Sequence, residues 1–319
     1  MNLLILGGTA MVGRAVASEA VARGHEVTCF ARGSAAASPG ATLVRGDREV
    51  GLAPLMGRAW DAVVDVSRHP GQVRRAVRDL DAGHWVFVST ANVYADVARP
   101  ARDEDTPLLP PLEGDVMESM DDYGAAKVAC EDAVRAAASA TIVRPGLIGG
   151  PGDASGRSGY WPWRLAHPSG PEVIAPDDPD LPCALIDVRD LASWLVTCAE
   201  RRLVGTFNAD GEATTLGEVL AASARVADAR VPLRLVAPAR LVELGVAAWM
   251  GPRSLPLWVD DPEWRQFAVL DTTRARASGL TCRPLEETLA AALAYENTRT
   301  EPRRAGLTDA EEREFAALI

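Results

Sequence analysis

Tyr123 and Lys127 stand four residues apart in Tyr-Gly-Ala-Ala-Lys, at the head of an Ala-rich run that reaches Ala138. The spacing predicts a helix over 123–138 with both side chains on one face. A free phenol ionises near pH ~10 and is a poor proton donor or acceptor at neutral pH. An ammonium beside it favours the phenolate and brings the group towards the working range. The pair therefore reads as a catalytic acid/base and its tuning cation. Standing alone, the same motif would describe an ordinary surface Tyr–Lys pair. Upstream, Ser89 and Thr90 follow the apolar run Trp85–Val88. Hydroxyls at the C-terminal end of a parallel strand lie in the crevice where ligands bind, within reach of an oxygen facing Tyr123. The plainer alternative is two hydroxyls that cap a strand end.

A second cluster suits phosphate. Leu3 to Leu6 is a short apolar run, and it enters Gly7-Gly8-Thr9-Ala10-Met11-Val12-Gly13. The pattern is G-x-x-A-x-x-G between a strand and a helix. Gly7 permits a tight turn, Gly13 lets the helix pack closely, and the helix start from Ala10 to Val12 offers free N–H groups and a positive dipole end to a pyrophosphate. Gly7, Thr9, Ala10, Met11, Val12 and Gly13 are the cofactor-binding candidates here. Ala10 stands where a middle glycine is usual and restricts the turn. The end of the second strand, Phe30-Ala31-Arg32-Gly33, has no carboxylate for a ribose 2′-hydroxyl, and Arg32 could pair with a 2′-phosphate. NADP(H) is thus favoured, with NAD(H) the alternative. Asp47 and Arg48, after the third strand, are placed at the adenine and the phosphate, although either could be a surface turn residue.

The elements around these residues alternate. Strands are expected at 3–6, 26–30, 43–44, 62–66, 85–88 and 141–143, with helices at 12–22 and 123–138. This is the pattern of an α/β fold of the Rossmann type, a doubly wound parallel sheet with a smaller C-terminal substrate-binding lobe. We read residues 1–145 as the dinucleotide-binding domain and 146–319 as mostly the substrate-binding lobe, with some segments returning to the first domain. Gly and Pro crowd 146–182 and suggest substrate-side loops. Tyr160 and Trp161 in that stretch, with Tyr94, are the substrate-binding candidates. Trp163, Trp258 and Trp264 are further aromatics of the pocket or of lobe packing. Helices are expected at 188–199, around Val219 and around Leu241. Thr308-Asp309-Ala310-Glu311 is a capping box opening a last helix, and 299–304 reads as a polar, mobile link.

With these motifs in view the sequence resembles a family. Gly7-Gly8-Thr9…Gly13, Ser89-Thr90…Val93-Tyr94, Tyr123…Lys127, Arg144-Pro145 and Ile186-Asp187-Val188-Arg189-Asp190-Leu191-Ala192 are similar to the extended and atypical short-chain dehydrogenase/reductases, often labelled NAD-dependent epimerase/dehydratase. The resemblance implies that Thr90 is the catalytic hydroxyl, that Tyr123 is the acid/base, and that Lys127 binds the nicotinamide ribose and tunes the tyrosine. It places Val66, Ser67 and Ser89 beside the cofactor, and Pro145 to Leu147 along the nicotinamide. Departures narrow the reaction. Thr90-Ala91-Asn92 replaces the Thr-Asp-Glu of nucleotide-sugar 4,6-dehydratases, which speaks against water loss. Leu147 replaces an Asn that helps epimerases hold a nucleotide sugar. Arg157, Arg164 and Arg253 could still bind a diphosphate. The first expectation is therefore an NADP(H)-dependent carbonyl reductase or dehydrogenase using Thr90, Tyr123 and Lys127. The alternatives are an epimerase that oxidises a sugar-like substrate transiently, and a non-catalytic NAD(P)-binding regulator.

Composition excludes other classes. The net charge of −11 repels nucleic acid and anionic membrane. Five widely spaced cysteines and four histidines show no metal-ligand spacing, so no metal is expected. The apolar N-terminus runs directly into glycines and reads as a buried strand rather than a signal peptide. The expected setting is cytoplasmic, the partner a small-molecule substrate, and the assembly a monomer or homodimer.

Overall fold

The computed structural model describes residues 1–319. Seven strands form the central sheet: β1 (Asn2–Leu6), β2 (Glu26–Ala31), β3 (Thr42–Arg45), β4 (Ala62–Asp65), β5 (Trp85–Val88), β6 (Ala140–Pro145) and β7 (Gly205–Ala209). All neighbours are parallel, and the spatial order is β7-β6-β5-β4-β1-β2-β3. The Rossmann-type expectation is borne out. Leu3 to Leu6 are fully buried because both faces of β1 are covered, which is why the run is continuously apolar rather than alternating.

Successive residues of a strand point to opposite faces, and β1 shows what that builds. Leu3 and Ile5 join α1 (Met11–Ala22) and α5 (Val188–Arg201) in one core, through Val16, Ala20, Leu191 and Leu195. Leu4 and Leu6 join α2 (Pro70–Asp79) and α3 (Tyr123–Arg135) in the other, through Val73, Ala76, Cys130 and Val134. The strand order reverses beside β1, between β2 and β4. That is the switch point at which the loops after β1 and β4 diverge and leave a crevice at the strands' C-terminal ends.

A third core gathers the C-terminal residues around α4 (Tyr160–Ala166) and α6 (Leu216–Val226). It corrects three expectations. Residues 146–182 are not simply loops: they hold α4 and a strand, Val173–Pro176, that pairs with Leu233–Val236. The helix near Leu241 covers only Pro238–Glu243. The link at 299–304 is tied down, because Arg299 and Arg303 both ion-pair with Glu296 and Arg303 stacks on Trp163. The capping box at Thr308 forms as expected and opens helix Asp309–Ala316. No helix is long and apolar enough to cross a membrane.

Candidate active site

The turn after β1 is shaped by a close approach. A Cβ on Gly13 would lie 2.3 Å from the Gly7 carbonyl oxygen, so α1 starts hard against the turn only because that methyl is missing. Ala10 precedes the helix in an extended conformation, no side chain caps it, and the first turn carries no acid. The leading N–H groups, at Met11 and Val12 among others, are therefore open for an anion. Gly7, Thr9, Ala10, Arg32, Asp47, Arg48, Val66 and Ser67 line one cleft, although they come from four separate loops. An uncapped helix start facing such a cleft fits the phosphates of a dinucleotide. Arg32 is exposed there and makes no ion pair with any protein carboxylate. Asp47 uses one oxygen to take the Glu49 N–H at 2.9 Å.

Arg48 does not act as expected. Its guanidinium forks onto the carboxylate of Asp65, at 2.6 and 2.8 Å, and also donates to the Gln72 carbonyl. Asp65 is fully buried at the end of β4. An arginine whose charge is already answered by a buried carboxylate holds the cleft wall together and has little to offer a phosphate.

The Tyr–Lys pair lies at the start of α3. A Cβ on Gly124 would fall 2.3 Å from the Asn92 carbonyl oxygen, so this helix presses directly on the turn Ala91–Val93 that follows β5. The contact sets the first turn of α3, which Tyr123 begins, against the turn that Thr90 caps. Thr90 is nearly buried; its hydroxyl donates to Asn92 Oδ1 at 3.0 Å and accepts the Asn92 N–H at 3.3 Å. Tyr123 is half-buried, and its hydroxyl has no hydrogen-bond partner in the protein. Lys127 is buried. Its ammonium donates to the Ser67 carbonyl at 2.7 Å and the Val88 carbonyl at 2.6 Å, and sits 4.7 Å from the centre of the Phe87 ring. It bridges the exits of β4 and β5 with two of its three N–H donors. Lys127 is also the chain's only lysine; the other 32 of its 33 Lys and Arg residues are arginine. That singularity is a signal available in the sequence.

Four other candidates are corrected. Ser89 does not face the cofactor cleft: its hydroxyl donates to Glu131 Oε1 at 2.5 Å. Glu131 and Arg144 form a buried forked ion pair at 2.9 and 2.7 Å. Burial alone would raise the Glu131 pKa, but the hydrogen bond and charge of Arg144 hold it below the ordinary carboxylate value. Tyr94 belongs to the same network. Its hydroxyl donates to Asn208 Oδ1 at 2.5 Å and accepts from Arg144 at 3.2 Å, and the ring is buried. Tyr160 and Trp161 face the C-terminal core, where the Trp161 indole donates to the Pro256 carbonyl. Burial pushes the Tyr160 phenol up to about 12. These aromatics are structural because α4 turns them inward. Trp258 is likewise fully buried, whereas Trp264 is exposed. Pro145 pairs with Ala209 at the end of β6, and Leu147 packs against the C-terminal core. No group of three or more His, Cys, Asp or Glu gathers as a metal site.

Residues 59–209, which include Thr90, Tyr123 and Lys127, match the model of the NAD dependent epimerase/dehydratase family. The family resemblance read from the motifs is thereby borne out. No curated protein matches the sequence. Solved structures match over nearly the whole chain. The Bordetella bronchiseptica enzyme WbmG, in complex with NAD and UDP, has a TM-score of 0.68 at 18% identity, with 93% of this chain and 95% of that one covered. UDP-glucuronic acid 4-epimerase from Bacillus cereus, in complex with NAD, has a TM-score of 0.68 at 12% identity, with 93% and 99% covered. UDP-N-acetylglucosamine 4-epimerase from the same organism has a TM-score of 0.65 at 16% identity, with 92% and 99% covered. At these identities the likeness concerns the fold.

Proposed function

We propose that this chain, an enzyme of the NAD-dependent epimerase/dehydratase type, inverts a hydroxyl-bearing carbon of a sugar-like small molecule. The observation that carries the reading is half-buried Tyr123, its hydroxyl without a protein partner, one helical turn from buried Lys127 on a helix that packs against the turn after Thr90. A bound nicotinamide dinucleotide supplies reversible hydride exchange, and inversion needs two opposite exchanges with no net redox change. The uncapped start of α1, Ser67 and the third donor of Lys127 would hold it. Tyr123 takes the proton from the substrate hydroxyl and later returns it; Thr90 positions the same oxygen; Lys127 fixes a positive charge at the exits of β4 and β5.

The family match favours this reading over the carbonyl reductase that the motifs first suggest. The two share one set of residues and differ in bookkeeping. An epimerase needs no added reductant, whereas a reductase consumes one dinucleotide per turnover. The reading also accommodates Leu147 and the acidic surface, since it requires a carbinol carbon and not a nucleotide diphosphate.

The test is to denature the purified protein, identify the released dinucleotide by mass spectrometry, and follow candidate sugars and sugar acids by NMR with no cofactor added. Co-purifying dinucleotide and inversion at one carbon are expected. Consumption of added NADPH or NADH on a carbonyl substrate, one equivalent per product and without inversion, would restore the reductase.

A further inference from the structure

Three arginines beyond α3 were candidates for an anion: Arg157, Arg164 and Arg253. The structure separates them. Arg164 is fully buried and committed to Asp309 at 2.6 Å, Glu312 at 3.2 Å and the Leu307 carbonyl. It fastens the last helix to α4. Arg253 pairs with Glu314 at 3.1 Å and lies over the Phe315 ring. Arg157 has no ion pair. Its only side-chain hydrogen bond runs from Nε to the Ser155 hydroxyl at 3.1 Å, and neither terminal nitrogen has a protein partner.

The segment carrying Arg157 is rigid. The Asp153 carboxylate, itself nearly buried, accepts the N–H and hydroxyl of both Ser155 and Ser158, at 2.5 to 3.0 Å. Arg299 grips the bend from outside through the Asp153 and Ala154 carbonyls. All four hydrogen bonds to that carboxylate come from the bend itself, so Asp153 shapes the loop and forms no ion pair with Arg157.

The bend also spans the crevice. At one end, a methyl placed on Gly152 would lie 3.5 Å from Met11, in the first turn of α1. At the other end, the Arg157 guanidinium stacks 5.2 Å from the Trp249 ring centre. Burial lowers the Arg157 pKa, and the charges of Asp153 and then Tyr123 work against that shift. Trp249 continues into Phe267 and Trp264 at ring separations of 5.7 and 5.2 Å. With no ion pair and both terminal nitrogens unpartnered, the guanidinium is open to an anion.

We propose that Arg157 binds a carboxylate of the substrate and thereby sets which carbon lies against Tyr123. The two unpartnered terminal nitrogens present parallel N–H donors in one plane, the geometry that a carboxylate matches with both oxygens. One free cation answers one negative charge. Arg299 and Arg303 share the one carboxylate of Glu296, and Arg299 is held further by the Asp153 and Ala154 carbonyls, whereas Arg157 has no carboxylate partner. Trp249, under the guanidinium, holds it flat and offers an apolar face to the ring that bears the carboxylate. The substrate class is a cyclic hydroxy acid of the uronate kind. The inference rests on the proposed function for the position of the reacting carbon and extends it to the substrate's charge.

The experiment is calorimetric titration of the NAD-saturated protein with D-glucuronate, D-glucose and inorganic phosphate at one ionic strength. Glucuronate should bind and glucose should not. In Arg157→Gln, glucuronate affinity should fall on the order of 10- to 100-fold, as for loss of a charged hydrogen-bonded pair, with NAD affinity unchanged. Arg157→Lys should recover only part of it. Equal glucuronate affinity in wild type and Arg157→Gln overturns the proposal, as does phosphate binding with no uronate binding, or glucose binding as well as glucuronate. Arg157-dependent uronate binding without inversion by NMR would leave the carboxylate site standing and remove the epimerase. Inversion of a neutral sugar by a protein that does not bind glucuronate would do the reverse.

Discussion

Tyr123 and Tyr94 are the same residue type, and so are Arg157 and Arg144, yet each pair divides into opposite roles. Tyr94 and Arg144 lie under the strand ends, where every polar atom of the Ser89–Glu131–Arg144–Tyr94–Asn208 chain is answered by another. Tyr123 and Arg157 lie on the rim, half-buried, with the phenol oxygen and both terminal guanidinium nitrogens unanswered. Burial pushes the Tyr94 phenol up, against the opposing charge of Arg144, and fixes it as a neutral donor. A side chain whose hydrogen bonds are complete holds structure. One that is partly desolvated and incomplete is available for a ligand, because the missing partner is the one that binding supplies.

The largest expected effect separates the two tyrosines. Tyr123→Phe should lower turnover by ~10²–10⁴-fold, the range for a general acid/base, and leave dinucleotide binding and melting temperature nearly unchanged. Tyr94→Phe should leave Asn208 Oδ1 without its donor and cost about 1–3 kcal/mol of stability, with turnover per folded molecule retained. Steady-state kinetics and thermal melts of both variants check this; the division fails if the two lose activity and stability in the same proportion.

Next comes the buried ion pair. Glu131→Gln should destabilise by about 3–5 kcal/mol, since the Arg144 charge would then be buried with no counter-charge. The folded-state pKa of Glu131 is depressed, so its contribution is present above the ordinary value of 4.5 and is lost as the pH falls through the lower folded value. Denaturant melts from pH 7 down to pH 3 should show wild type losing stability faster than Glu131→Gln in that acid window. Parallel curves would assign acid sensitivity elsewhere.

The smallest effect concerns the rim at the far end of the cleft. Arg32 stands exposed and unpaired at the tip of β2, so NADPH should bind more tightly than NADH, by roughly tenfold for one exposed charged contact to the 2′-phosphate. Arg32→Asp should abolish or reverse the order. Two of the solved structures named above, WbmG and the UDP-glucuronic acid 4-epimerase, hold NAD, and equal dissociation constants in the unmutated chain would align it with them.

Much of this molecule follows from local pattern. The apolar run at Leu3–Leu6, the G-x-x-A-x-x-G turn, the alternation of strands and helices and the capping box at Thr308 are short-range features, and each forms nearly where its residues indicate. Tyr123 and Lys127 are also local, because four residues of helix bring both to one face. Their neighbour Gly124 shows why small residues lie between them, since only a glycine lets α3 close on the turn behind Thr90. What the sequence left ambiguous was direction and partnership. Ser89 and Thr90 are adjacent hydroxyls, and strand alternation sends one down to Glu131 and leaves the other at the crevice. Tyr160 and Trp161 look like pocket aromatics until α4 packs them inward. Arg48, Arg144, Arg157, Arg164 and Arg253 have the same side chain, and their roles depend on carboxylates 13 to 148 positions away, or on having none. Residue type and spacing determined the sheet, the phosphate turn and the Tyr–Lys pair. Only the tertiary structure decided which charges are paired, because an ion pair depends on distance in space and the chain's order does not record it.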